Sequence, residues 1–356
     1  MRGRWRTFLL WTAVAVALLG AFWYRLDWSL IRESLRRVNV PVVLLAVLPI
    51  LLTYLTRSLR WRALLAPIGS PTLGNTIAAT VIGFSTIFVF GRIGEATRPL
   101  ILSLRERIRP SATIATILLE RICDMLAVAL AFALSLPFAS GLDDLHRPPA
   151  AFARLGGAAL VLSILGLVGL SALRSRADGI LDALERRSLG LPGKLRRPIL
   201  NLLRHLAEGL SALRDIRALA RIVGYTILTW GLVVLSFWLV AFAFGLRLTV
   251  ASVIFVIGFA MVGSLVPTPG GSAGAFHTLT MLGLMGLGIE KNKAASMALI
   301  THLVSFGPAI LVSPCFFRRE GLSWATLREL MMAETALAEP TSDGAEGGVM
   351  ARTGRG

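Results

Sequence analysis

Apolar runs of bilayer-crossing length recur along this chain, at residues 7–24, 40–56, 112–138, 151–173, 219–245 and 293–316. About 20 such residues cross ~30 Å of hydrocarbon at ~1.5 Å per residue, and lipid offers no partner to an open backbone, so each run is expected to be a helix. Composition agrees, since 55% of the residues are hydrophobic and only 16% are charged, more apolar surface than a soluble core absorbs. Two further apolar regions are irregular. Residues 72–90 contain Gly74, Gly83 and several Ser and Thr, and residues 251–288 are interrupted by Pro267-Thr268-Pro269-Gly270-Gly271, which ends one helix and starts another. The expected fold is an all-α membrane protein over residues 1–332. It has about six full transmembrane helices plus two broken, re-entrant helical hairpins, six to eight spans in all.

A net charge of +17 would in a soluble chain point to nucleic acid. Here the Lys and Arg residues fall between apolar runs, as the positive-inside rule expects, and no nucleic-acid partner is predicted. The amino-terminal run ends in Phe22-Trp23-Tyr24 without a small-residue cleavage pattern, which reads as an uncleaved first span with an aromatic anchor. With the basic loops and both termini cytoplasmic, 72–90 dips in and returns on the cytoplasmic side while 251–288 enters and leaves from outside. The loop 25–39, with four Arg against two acids, is the one basic loop that this places outside. Segment 174–217 reads as a cytoplasmic amphipathic insertion, with leucines at spacings of three and four among arginines, lying on headgroups or packed on a partner. Residues 333–356, without apolar period, read as a disordered tail.

Ionisable side chains inside spans are costly unless paired or facing a wet cavity, so each is a candidate functional residue. The densest group is Glu120, Arg121 and Asp124. With Ser111 as N-cap, Glu120 lies about 14 Å along its helix, near mid-membrane; Glu120 and Asp124 share a face, and Arg121 reaches Asp124 at i+3. The alternative is a structural ion network bracing the bundle. A second group, Gly91-Arg92-Ile93-Gly94-Glu95-Ala96-Thr97-Arg98, leaves the irregular segment directly. Glu95 and Arg98 are placed to pair at i+3, leaving Arg92 and the glycine amides for a phosphate. In the third, two half-helices of about 16 residues meet at Pro267–Gly271, the second presenting free amides near Gly270, Gly271 and Ser272 as an anion site. His277, about a turn and a half into that half-helix, is a ligand contact, a proton acceptor or a hydrogen-bonded core residue. Arg57, Arg60 and Arg62 around Trp61 read as cytoplasmic anchors or headgroup holders, and His302 has no evident partner. Cys123 and Cys315 lack metal-ligand spacing and read as small buried hydrophobes; no metal or cofactor is expected.

Taken in order, RSLRWRALL at 57–65, GRIGEATR at 91–98, ERICD at 120–124 and PTPGGSAGAFH at 267–277 resemble the lysylphosphatidylglycerol synthase transmembrane-region family of flippase-like membrane proteins. The likeness covers roughly residues 8–320. It implies a bacterial cytoplasmic-membrane protein that moves or binds a lipid, either an anionic phospholipid or an isoprenoid-linked or hopanoid-type lipid. It also implies site roles for Arg92, Glu95, Arg98, Glu120, Arg121, Asp124 and the Pro-Gly-Gly turn. The chain departs from the family's usual pattern at Phe90, where many members have proline, and at His277, where many have glutamate. The full synthases carry a soluble aminoacyl-transferase domain after the membrane region; with about 40 residues after the last span, this chain is expected to be no enzyme. The expected partners are a membrane lipid, and beyond it a second copy or lipid-biosynthesis enzymes. A secondary transporter of a small polar solute and a non-transporting assembly factor are the rival readings.

Overall fold

The structure, a computed structural model, describes residues 26–139, 215–266 and 269–320, with parts of 13–24 and 154–169. The insertion from 174 up to residue 214 and the tail 333–356 lie outside the described residues, as does most of the span predicted at 7–24, while the span predicted at 151–173 is described in part, with an apolar helix at Gly156–Gly166.

Every regular element among the described residues is helical. A short helix α1 (Trp28–Arg36) precedes α2 (Val40–Leu65) and α3 (Leu73–Phe90). A 3-10 segment (Gly91–Ala96) leads into α4 (Thr97–Glu106) and α5 (Pro110–Ser135). After the gap come α6 (Ile216–Ala243), α7 (Val250–Ser264), α8 (Ala275–Gly286) and α9 (Lys291–Glu320). Side-chain caps start several of them: Asp27 accepts from the amides of Ser29 and Leu30, Asn39 from Val42, Asp215 from Arg217 and Ala218, and Thr249 from Ser252. The predicted cap at Ser111 is corrected. α5 begins two residues earlier, with Arg109 at the N-cap and Pro110 in the first turn, where a missing N–H costs nothing. The basic loop 25–39 holds α1, tied to the start of α9 by the Asp27 N–H donating to Asn292 Oδ1 at 3.0 Å.

α2, α6 and α9 are each long and apolar enough to cross a membrane. α5 matches α2 in length at 26 residues but carries Glu120, Arg121 and Asp124 in mid-helix. The packing is inverted relative to a soluble protein: α2 turns Leu44, Leu45, Leu48, Leu52 and Leu55 outward and buries Thr53, Thr56, Ser58 and Arg60. Such an outer surface, with Leu311 of α9 80% exposed, is stable only against lipid. Polar bonds join the interiors, Thr56 to Thr229 at 2.7 Å and the Ser236 hydroxyl to the Ala46 carbonyl at 2.8 Å.

The chain ends define two faces. On face I the Asn39 N–H donates to the Ala243 carbonyl, so α2 starts where α6 ends, and α1 meets the start of α9. On face II, α2 ends and α3 and α5 begin. The Glu106 carboxylate at the end of α4 accepts from the Thr72 N–H, the Thr72 hydroxyl and the Asn75 amide, all at 2.8 Å, and closes the base of a hairpin. The arithmetic is that of a re-entrant segment. The 18 residues of α3 rise about 27 Å, and the six 3-10 residues with the ten of α4 return the same length at ~2.0 and ~1.5 Å per residue.

α7 and α8 form the second hairpin, entering from face I. A methyl at Gly263 would lie 2.7 Å from the Ala275 carbonyl oxygen, and one at Gly283 would lie 3.2 Å from Phe259, so small residues let the two arms close. The arms are 15 and 12 residues long, shorter than the 16 expected, because the break is wider than the Pro-Gly-Gly triplet. Gly270, Gly271, Ser272 and Gly274 all have positive φ, a left-handed run that only glycine-rich chain adopts at low cost. The turn Pro269–Ser272 packs against α3 and the 3-10 segment, so the two hairpins, entering from opposite faces, meet tip to tip inside the bundle.

Candidate functional site

Where the hairpin tips meet α2 and α5, four arginines and three carboxylates are gathered among the described residues. Asp124 is held in a two-pronged pair by Arg60, Nη1 to Oδ1 at 2.6 Å and Nη2 to Oδ2 at 3.0 Å, and accepts from the Trp230 indole N–H at 3.0 Å. Glu120 Oε1 faces three guanidiniums: Arg98 at 2.9 Å, Arg121 at 2.9 Å and Arg60 at 3.1 Å. Arg121 Nε also lies 3.0 Å from Glu95. Arg60, Glu120 and Asp124 are each 0% exposed. Burial to this degree is tolerated because every carboxylate meets at least one guanidinium.

Local structure explains the placements. Arg98 opens α4 on the returning arm, where it lies over the face of Trp61 at 4.3 Å, and the Trp61 indole N–H is fixed by Thr116 at 3.0 Å. Gly94 is pressed against the backbone of Thr86, too close for any Cβ, and the Thr86 hydroxyl bonds the Gly94 carbonyl at 2.8 Å. That glycine therefore serves close approach of α3 to its returning arm. In place of the predicted Glu95–Arg98 pair, Glu95 meets Arg121 and Arg98 meets Glu120, both partners lying on α5, which packs against this returning arm. The side chain of Arg92 lies outside the described residues.

One side of this network opens into a cavity of about 150 Å³. Its charged end is Arg57, Glu95 and Arg121; its walls are apolar and aromatic, among them Ile50, Phe84, Trp230, Ile257 and Phe276. Thr53, Ser264, Ser272 and Ser305 add hydroxyls. Arg57 meets a carboxylate only at long range. Its Nη1 stands 3.6 Å from Asp124 and makes no hydrogen bond, and its guanidinium carbon lies 5.2 and 5.9 Å from the ring centres of Phe84 and Trp230.

The third predicted group is rearranged. Ser272 lines the cavity, while Gly270, Gly271 and His277 do not. The Ser272 hydroxyl donates to the Ser264 and Val266 carbonyls at 3.0 and 2.7 Å, satisfying acceptors left at the end of α7, and lies ahead of α8 rather than at its first residue. The Ala273 and Gly274 amides donate within the turn, to the Gly270 carbonyl and to His277 Nδ1. His277 is the third residue of α8, not a turn and a half in. Its ring lies 4.5 Å from that of His302, which holds the Gly271 carbonyl through Nε2 at 3.2 Å, so His302 has the partners that the sequence did not reveal.

Sequence reasoning groups Glu95, Arg98, Glu120, Arg121 and Asp124 as site candidates and reads Arg57 and Arg60 apart from them, as cytoplasmic anchors or headgroup holders. Both lie buried in the network, whereas Arg62 sits at the hairpin base and donates to the Pro71 carbonyl at 2.9 Å. The available signal was spacing: Arg57 and Arg60 follow Thr53 and Thr56 on one helix face at intervals of three and four. Cys123 is half-buried, and Cys315 is exposed on α9, not buried as expected.

No curated protein and no solved structure matches this chain. Residues 8–313 match the family model described as the lysylphosphatidylglycerol synthase TM region, and the chain belongs to that family as a multi-pass integral membrane protein.

Proposed function

We propose that the protein binds a lipid by its headgroup between the two hairpin tips and carries it between leaflets of a bacterial cytoplasmic membrane, acting as a carrier and not as an enzyme. The observation that carries this reading is the cavity itself: cationic at one end, apolar along its walls and placed at membrane depth between hairpins that enter from opposite faces. A polar solute would need polar walls, and here the walls match hydrocarbon. A headgroup phosphate fits against Arg57 and Arg121, with acyl or isoprenoid chains following the apolar lining. Glu120 and Asp124 keep the remaining arginines balanced while the tips part on one side or the other, as broken helices do in many transporters.

Face II carries Arg62, Arg105, Arg107, Arg109, Arg217 and Arg319, so the positive-inside rule favours it as the cytoplasmic face, with both termini on that side. The test is reconstitution into vesicles carrying a trace of fluorescent lipid, with the outer leaflet quenched by dithionite. The protein should speed exchange of at least one lipid in a panel of phospholipids, isoprenoid phosphates and hopanoids over protein-free vesicles. If every lipid in the panel moves at the protein-free rate, the reading is wrong.

A further inference from the structure

We infer that His277 is a proton-binding site that latches the tip of the second hairpin, and that the cycle of the carrier is coupled to the passage of one proton. Closed, the tip holds a neutral imidazole; parted, it admits water and the ring takes a proton. The protonation site stands on the geometry of the tip alone, and only the coupling rests on the lipid reading above.

The hydrogen bonds fix which nitrogens carry protons. The Gly274 N–H donates to His277 Nδ1 at 3.4 Å, so Nδ1 offers a lone pair and the single ring proton stands on Nε2. That Nε2 is buried without a hydrogen-bond partner, in a residue only 6% exposed. At His302 the Gly271 carbonyl can only accept, so Nε2 donates to it at 3.2 Å. Both rings are therefore tied to the left-handed turn, His277 from α8 and His302 from α9. A proton arriving at His277 Nδ1 turns that acceptor into a donor. It breaks the bond from Gly274 and sets N–H against N–H in the first turn of α8, so the closed tip and the charged ring exclude each other. The proton comes from water and returns to water, and no other atom changes hands.

The surroundings suit a proton that must leave again. The two imidazole centres are 4.5 Å apart, and two like charges at that spacing in an apolar bundle are prohibitive, which limits the pair to one proton. Phe22 lies 5.2 Å from the His277 ring, Phe88 of α3 and Phe306 of α9 lie 6.0 and 4.9 Å from His302, and Phe276 touches both. Phenyl faces within ~6 Å attract a cation weakly, whereas a carboxylate would keep it. Among the described residues no carboxylate or guanidinium pairs with either ring. α3, α7 and the rest of α8 contain no ionisable residue, and α9 has none but His302 between 294 and 312. Arg57, Glu95 and Arg121 stand at the charged end of the cavity that Phe276 and Phe306 also line.

The experiment is hydrogen–deuterium exchange of the full chain in lipid nanodiscs, read on peptides covering residues 264–276 at pH 5 and pH 8, in wild type and in His277→Asn. Asparagine keeps an acceptor for the Gly274 N–H but cannot titrate, and comparing two proteins at one pH cancels the intrinsic pH dependence of exchange. An imidazole open to water titrates near ~6.5, so the closed tip is fully favoured above that value and loses ground below it, by up to ~30-fold at pH 5. Wild type should exchange its tip at least ~5-fold faster than His277→Asn at pH 5 and at the same rate at pH 8. His302→Gln, which keeps a donor for the Gly271 carbonyl, should respond as wild type does. Equal tip exchange in wild type and His277→Asn at pH 5 overturns the inference. A response kept by His277→Asn and lost by His302→Gln places the proton on the other ring and overturns it as well. Should His277→Asn fail to fold, the ratio of tip to α1 exchange in wild type and His302→Gln decides the matter, an unchanged ratio between pH 8 and pH 5 overturning the inference. In the vesicle assay, an interior at pH 6 against an exterior at pH 8 should shift the final distribution of a moved lipid between leaflets, a shift abolished by nigericin and by His277→Asn. A moved lipid that stays evenly distributed in wild type overturns the coupling. Vesicles in which no lipid moves, while the tip still answers to pH, overturn the lipid reading and leave the protonation site standing.

Discussion

Arg60 and Arg57 stand three residues apart on α2, yet their environments predict opposite phenotypes. Arg60 is fully buried and supplies Asp124 with two charge-assisted hydrogen bonds, at 2.6 and 3.0 Å, and Glu120 with a contact at 3.1 Å. Arg60→Met strips a buried carboxylate of its main partner, a change that costs about 3–5 kcal/mol because the remaining charge is left uncompensated. At roughly 2 °C per kcal/mol for a chain of this size, the melting temperature in detergent should fall by ~6–10 °C. The transition is followed by intrinsic tryptophan fluorescence, to which Trp230, whose indole donates to Asp124, contributes among the eight tryptophans of the chain. Arg57→Met removes only a 3.6 Å contact and leaves Asp124 paired with Arg60, so its melting temperature should stay within ~2 °C of wild type while lipid retention is lost. Adding Asp124→Leu to Arg60→Met removes the orphaned carboxylate and should recover part of the loss, a non-additivity expected only of coupled partners. An Arg60→Met protein that melts within ~2 °C of wild type would refute the claim that this ion network holds the bundle together.

The other expectations concern the hairpins and face I. In a background of Cys123→Ala and Cys315→Ala, single cysteines at Thr72 and Glu106 should react with an impermeant maleimide from the same side of the membrane; labelling from opposite sides would mean that α3 to α4 spans rather than re-enters. Gly94→Ala places a methyl into the Thr86 backbone and should destabilise by at least ~1 kcal/mol, whereas Gly231→Ala, with open space around it, should be neutral or slightly stabilising; equal melting of the two variants would contradict the tip packing. Glu290 accepts from the Asn292 and Lys293 amides at 2.8 and 2.9 Å at the start of α9. Burial opposes ionisation there, but these bonds, the Asn292 side-chain amide and the charge of Lys291 outweigh it and hold the carboxyl below its usual range. Its contribution is therefore full above the unfolded value near ~4.3 and is lost as pH falls through the depressed folded value. Wild type should lose melting temperature relative to Glu290→Gln between about pH 5 and 3, and parallel curves would exclude this cap.

Much of the fold was legible because lipid imposes simple rules. Long apolar runs become helices for want of any other backbone partner, and the Pro-Gly cluster inside 251–288 marks where that helix fails and turns back, whereas α3 runs unbroken from Leu73 to Phe90 despite Gly74 and Gly83 and the chain turns only at Gly91–Ala96. Glu95, Arg98, Glu120, Arg121 and Asp124 stood out for the same reason, since charge in an apolar run is rare enough to be informative. Pairing was not legible. The Arg98–Glu120 and Arg121–Glu95 partners depend on how the 3-10 segment aims two side chains at α5, and the His277–His302 contact depends on where a left-handed turn docks on α9.

α2 shows the division most clearly. Read along the chain, the apolar run stops at Thr56 and the arginines that follow look like the start of a cytoplasmic loop. In the folded molecule the helix continues to Leu65 with Arg60 wholly buried, because Asp124, 64 positions away on α5, neutralises it. The sequence by itself determined that the chain lives in lipid, that the segment 251–288 breaks, and that charge is concentrated after residue 90 and inside the span that follows, since these depend on local composition. Which charges are spent on each other, and that Arg57 is left facing a cavity, was decided only by tertiary structure, because the cost of a charge in a membrane is settled by what stands next to it in space.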